Sequence, residues 1–217
     1  MSGIEENFKT ERTVREVFQP PIGAWLRSQG ATRLKVYPSG CNALQFKGDV
    51  EFCLKEKILR ADFKGEKKMW GKLNHFFETW SDMPGNKTVD GRRGWGSNRS
   101  YDLIWYCFYE ISMMTVLALP PWDEMVEAAL VRGDRRIRCK IQTQYKQDNQ
   151  TQGIICPLPW ILAQDVLRAK EGKATCLRAV MEIKGDTMHR WSPDEGVTEA
   201  LRRMDTPKNY KPWPANT

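Results

Sequence analysis

The chain has 217 residues, which is enough for one sizeable domain with its own core. Its 34 Lys and Arg outnumber its 27 Asp and Glu, for a formal net charge of +7, and nine Trp and six Tyr accompany this excess. A basic, aromatic-rich chain suits a polyanionic partner with stackable bases, although the same charge also keeps an ordinary protein soluble.

Two further features concern the compartment. The polar, acidic first residues do not resemble a secretory signal, and the longest apolar stretch, over 111–119, is too short to cross a bilayer. The six cysteines contain no CxxC pair, so we expect reduced thiols rather than zinc ligands or disulfides. We therefore expect a cytoplasmic protein, in the host cytoplasm if it is viral, with no membrane partner.

The apolar periodicity and turn residues predict helices and strands mixed along the chain. The predicted elements are, in chain order, a helix over 4–18, a helix over 22–27, a strand over 33–37, a hairpin within 43–64, strands over 75–80, 101–109 and 113–119, a helix over 122–132, a strand over 154–158 and a helix over 159–168. Asp123 and Glu124 are expected near the N-terminal dipole of the third helix, with Gly133 at its C-cap. Residues 135–152 alternate too weakly to assign.

These elements predict an α+β fold, a mixed α/β sandwich in which helices flank one central mixed sheet. A single domain is expected over residues 1–190. The proline-rich residues 191–217 are expected to form a tail that wraps the surface or is loose.

The segment over 48–67 is the most informative one, because it alternates as an antiparallel hairpin. A tip at Lys55 and Glu56 sets a register in which paired residue numbers sum to 111. One face is then apolar, formed by Val50, Phe52, Leu59, Ala61 and Phe63. On the polar face Asp49 lies directly across from Asp62, and Lys64 follows Asp62 on the same side.

Two directly opposed carboxylates repel each other, so this pair needs compensation. A hard divalent cation such as Mg²⁺ or Mn²⁺ prefers oxygen ligands and would turn the repulsion into coordination. A lysine beside it could orient water or stabilise charge developing on a phosphate. The other interpretation is an amphipathic hairpin whose charged face is merely solvated.

Asp49, followed by Asp62-Phe63-Lys64 on the adjoining strand, resembles the PD-(D/E)XK nucleases, which include archaeal-type Holliday-junction resolvases and many restriction and phage repair nucleases. Asp62 stands where Glu is commoner, and Gly48 stands where the motif has Pro. The resemblance spans about residues 4–120. It implies a restriction-endonuclease-like fold and a metal held by Asp49, Asp62 and the Phe63 carbonyl, with Lys64 assisting catalysis. Glu78 and, more weakly, Glu16 would supply a further carboxylate.

A second tripeptide, Glu182-Ile183-Lys184, also fits E-x-K. It has no Asp on an adjoining predicted strand, because Asp165 lies in a predicted helix. We therefore rank it below the first. His75 is expected to be structural, because nothing nearby completes a metal or nucleophile set.

The glycine-rich stretch over 91–100 carries three arginines around an indole. Arg92, Arg93 and Arg99 can bind phosphate and Trp95 can stack on a base, which predicts a nucleic-acid contact. A solvated surface loop is an equally good interpretation. The stretch lacks the pattern of a phosphate-binding P-loop.

Together these features predict a magnesium-dependent deoxyribonuclease acting on duplex or branched DNA, either as a monomer or as a homodimer. The alternative is a non-enzymatic basic protein, a nucleic-acid binder or a component of a viral or cellular assembly, with a nuclease-like fold. Metal binding at Asp49 and Asp62 separates the two, because the second has no need of it.

Overall fold

The computed structural model describes residues 20–37, 48–66, 73–94, 96–97, 101–108, 111–144, 149–184 and 187–205. The elements in these ranges are a helix over 20–28 (α1), β1 (Thr32–Val36), β2 (Val50–Leu54), β3 (Lys57–Glu66), β4 (Asn74–Asp82), β5 (Arg92–Arg93), β6 (Leu103–Phe108), β7 (Met113–Ala118), α2 (Leu119–Val131), β8 (Arg138–Gln144), β9 (Asn149–Pro157), α3 (Leu158–Lys170), β10 (Leu177–Lys184), β11 (Thr187–Trp191) and α4 (Pro193–Asp205). The predicted α+β class is confirmed. The helix predicted over 4–18 lies outside the described residues.

The strands form two sheets, where the sequence predicts one. The larger sheet has the order β1-β2-β3-β6-β7-β10-β11 and is antiparallel except for the parallel pair β3 and β6. The smaller sheet has the order β5-β4-β9-β8 and is antiparallel throughout. It contains β8, a strand that the sequence does not predict because its polar and apolar residues alternate only weakly.

The larger sheet buries both of its faces. One face packs against α1, where Ile22 and Leu26 share a core with Phe52, Phe63 and Trp105. The opposite face packs against the smaller sheet and the later helices in a second core, which includes Phe77, Ile104, Trp122, Leu158 and Val197. Because alternate residues of a strand point to opposite faces, Asp62 and Lys64 of β3 lie on this second face.

Helix α2 begins earlier than its sequence predicts. It starts at Leu119 with prolines at its first positions, where a missing N–H costs no helical hydrogen bond. Asp123 therefore lies beyond the first turn, so the expected acidic N-terminus is wrong. The C-cap residue is Arg132, and Gly133 stands one position later than predicted, with φ of 65° in the left-handed conformation that commonly ends a helix.

The residues after 190 differ from the predicted tail. Residues 193–205 form α4, and its Val197 and Ala200 are buried in the second core. Pro193 is the first residue of this helix, a position at which proline is favourable. The prediction of a tail was wrong over 193–205 because it took the prolines as a sign of irregular structure. No helix among the described residues is both long and apolar enough to span a bilayer.

Candidate active site on strands β2 and β3

The predicted hairpin register is confirmed. The pairs run from Leu54 opposite Lys57 to Val50 opposite Ala61, so that every pair of numbers sums to 111. The tip residues Lys55 and Glu56 both have positive φ, 48° and 65°, as a tight two-residue hairpin turn requires. The predicted apolar face is buried against α1.

The ladder ends one pair before the predicted meeting of Asp49 with Asp62. Gly48 has φ of 77°, and a Cβ there would lie 2.6 Å from the Ala61 carbonyl oxygen, so only glycine fits this bend. In a continued ladder the Phe63 amide would bond to the carbonyl of residue 48. Instead it donates to Oδ2 of Asp49 at 2.8 Å, and the Asp49 amide donates to the Ala61 carbonyl at 2.8 Å. The Asp49 carboxylate thus replaces a missing strand carbonyl.

Asp62 has a different partner. Its Oδ2 lies 2.7 Å from Nζ of Lys64, two residues along β3 on the same face. The Asp62 side chain is 9% exposed and that of Lys64 is 28% exposed, so the lysine forms the open side of the pair. Each carboxylate therefore has a contact within the chain that compensates its charge. The sequence alone predicts that a metal ion provides this compensation.

Strand β4 crosses the face of the larger sheet that carries this pair. Lys64 is in register with Tyr106 of β6, whose hydroxyl accepts a hydrogen bond from the Phe76 amide of β4 at 3.1 Å. One residue earlier, Nε2 of His75 lies 2.7 Å from Oγ1 of Thr115. The smaller sheet thus packs on the same face of the larger sheet as Asp62 and Lys64.

The positions of the Asp49 and Asp62 carboxylates are linked through the Phe63 amide. Asp49 bonds to the amide that directly follows Asp62, so bond lengths hold the two groups within about 8 Å. Glu78 stands on the opposite face of β4 from His75 and Phe77, the residues that pack toward the larger sheet. In the described part of the chain no three His, Cys, Asp or Glu residues are grouped to hold a metal. The structure therefore does not bring Glu78 together with Asp49 and Asp62 as a third ligand, and Glu16 lies outside the described residues.

Comparison with protein-family models, with curated proteins and with solved structures found no match. The resemblance to the PD-(D/E)XK nucleases therefore stays a prediction.

Part of the predicted nucleic-acid loop has a defined structure. Arg92 and Arg93 form β5 against the end of β4. The Arg93 guanidinium lies 3.9 Å from the centroid of the Trp80 ring, a cation–π contact that orients it at the surface. Trp95 and Arg99 lie outside the described residues.

The second E-x-K tripeptide takes part in an ion-pair network with α4. Glu182 is buried and pairs with the buried Arg203 of α4 at 2.6 Å, and Lys184 lies 3.3 Å away at the surface. Burial raises the pKa of Glu182, but the hydrogen bond and charge of Arg203, followed by those of Lys184, outweigh it and leave the pKa below its ordinary value. This network gives Glu182 a role in holding α4 on the sheet. A second carboxylate on α4 also pairs with Arg203. The sequence shows this pair as Glu199 four residues before Arg203, and the two side chains lie 2.7 Å apart in the structure.

Proposed function

We propose that the protein is a metal-dependent nuclease that hydrolyses phosphodiester bonds of DNA at Asp49, Asp62 and Lys64. The observation that carries the proposal is the pair of buried carboxylates held around residues 62–64, with a lysine on their open side. Buried carboxylates are uncommon unless they are paired or bind a cation, and such groups occur preferentially at functional sites.

The donor set fits a magnesium ion. Mg²⁺ is usually held by one or two carboxylates, with water and substrate phosphate filling its other positions, so Asp49 and Asp62 suffice and Glu78 is not required. The carbonyl of Phe63, which directly follows Asp62, offers a further oxygen ligand. When bound, the ion would polarise the phosphate and lower the pKa of water.

The remaining steps belong to the chain. Lys64 leaves its contact with Asp62 to donate hydrogen bonds to a phosphate oxygen or to the attacking water, because its side chain is the more exposed partner. Asp49 keeps its position through the Phe63 amide, which donates to Oδ2 at 2.8 Å and orients the carboxylate. The Arg92–Arg93 strand supplies phosphate contacts without sequence choice.

Loss of cleavage with retained binding tests this function. Asp62→Ala and Lys64→Ala should each abolish magnesium-dependent cleavage of plasmid and branched DNA while binding of the same DNA in EDTA stays close to that of the parent. Melting curves establish that the variants are folded. Undiminished cleavage by the purified double variant would refute the assignment.

One observation favours a second candidate, a nucleic-acid-binding protein without catalysis. Asp62 pairs with Lys64 and Asp49 accepts the Phe63 amide, so the two carboxylates are compensated within the chain. A protein of this kind would show no change in melting temperature with Mn²⁺ and no cleavage by the parent chain.

A further inference from the structure

The smaller sheet has an outer face, which is turned away from the second core. On β4, His75 and Phe77 point to the second core, so Phe76 and Glu78 point outward. The registers align Phe76 with Ile155 of β9 and Arg138 of β8, and Glu78 with Gly153 and Lys140. Five of these residues, Phe76, Glu78, Arg138, Gly153 and Ile155, define the outer face.

This face presents an aromatic ring on a flat support. Phe76 is half-buried and belongs to neither hydrophobic core. Its ring reaches over Gly153, where an added Cβ would lie 2.3 Å from Cζ. Glycine at this position therefore lets the half-buried ring lie close to the backbone of β9.

An arginine stands in the same row of the sheet as Phe76, two strands away. Arg138 is exposed and takes part in none of the ion pairs or side-chain hydrogen bonds found among the described residues. It is two strands from Phe76, about 10 Å away, which a long arginine side chain can partly span. Glu78 brings one negative charge to the face, in the row where Lys140 stands on β8.

We propose that this outer face binds single-stranded nucleic acid, with a base stacked on Phe76 and the adjoining phosphate held by Arg138. This proposal deepens the proposed nuclease function and rests on it, since it assigns the form of DNA that the protein holds. An aromatic ring on a four-stranded sheet with a neighbouring cation is a sequence-tolerant way to hold unpaired bases. The exposed apolar surface, one ring and Ile155, is far smaller than the roughly 800 Å² per partner of a stable protein interface.

The test measures binding of a short fluorescent single strand in EDTA, where cleavage cannot interfere. Phe76→Leu keeps an apolar cover over Gly153 but removes the ring, and it should weaken binding by about fivefold or more. A strand made of abasic nucleotides should bind the parent and Phe76→Leu equally. Arg138→Ala should reduce the salt slope by about 0.7, and the matched control Arg178→Ala, an exposed arginine on β10, should weaken binding less.

Equal affinity of the parent and Phe76→Leu for the normal strand would overturn the proposal, and so would an equal loss on the abasic strand. Photo-crosslinking of a strand containing 5-iodouracil to the unaltered protein serves as a check that needs no variant. Crosslinks on β4 or β8 support the proposal, and crosslinks confined to other elements overturn it. If Phe76→Leu weakens binding but the parent does not cleave DNA, the nuclease function fails and the binding face stands. If the parent cleaves DNA and Phe76→Leu binds the strand normally, the binding face fails and the nuclease function stands.

Discussion

Asp49 has two roles to test, as the acceptor for the Phe63 amide and as a proposed metal ligand. Two substitutions of Asp49 test these roles separately. Asp49→Ala leaves a buried amide without an acceptor, which should destabilise the protein by about 1–3 kcal/mol. For a chain of this length that corresponds to a melting temperature roughly 2 to 12 °C lower. Asp49→Asn keeps an oxygen that can accept the same hydrogen bond, so its melting temperature without metal should stay close to that of the parent.

Manganese should distinguish the parent from both variants. At a concentration one hundred times its Kd, a bound ion stabilises the folded state by about 2.7 kcal/mol, equivalent to roughly 5 to 11 °C. Asp49→Asn should lose most of that shift, because an amide oxygen is a much poorer ligand than a carboxylate. Melting curves of the three proteins with and without manganese provide the assay. Equal metal-induced shifts in the parent and Asp49→Asn would refute a metal site at Asp49, and an unaltered metal-free melting temperature in Asp49→Ala would refute its role at the end of β2.

Three further predictions concern other parts of the molecule. Glu182→Ala removes one of the two carboxylates that pair with the buried Arg203 and should lower the unfolding free energy in urea by about 1.5–3 kcal/mol. Glu182→Gln should keep most of the cleavage activity, and a folded but inactive Glu182→Gln would move the active site to the second tripeptide. Replacing Arg92, Arg93 and Arg99 together by Ala should weaken DNA binding similarly across sequences and flatten its salt dependence, and an unchanged salt slope would leave these residues as ordinary surface. Burial lowers the pKa of His75 from 6.5 to about 3, so the folded state holds the ring neutral, and the free energy of unfolding should fall as pH drops from about 6.5 toward 3. His75→Gln should show a shallower fall over that range, and identical pH profiles of the two proteins would contradict the burial argument.

The hairpin was predictable because its information is local. Strict alternation from Val50 to Phe63 decides which side chains are apolar neighbours, and a two-residue tip leaves one register that keeps them on one face. The same local signals were sufficient for the short helix over 20–28 and for the pair β6 and β7. They do not predict the smaller sheet, because β4 pairs with β9 more than seventy residues later and β8 alternates weakly.

What only the tertiary structure decides is how each charged residue is compensated. The bend at Gly48, required by the close approach of the Ala61 carbonyl, turns Asp49 from a partner facing Asp62 into an acceptor for Phe63. Strand β4 packs on the face of the larger sheet that carries Asp62 and Lys64, whose side chains are 9% and 28% exposed. The amino-acid sequence alone thus determined which residues line the hairpin and the register that places two acidic groups, Asp49 and Asp62, at its open end. Whether these groups meet each other, a backbone amide or a lysine depends on chain segments far away in sequence, because the direction of a side chain at the end of a strand is set by the elements that pack around it.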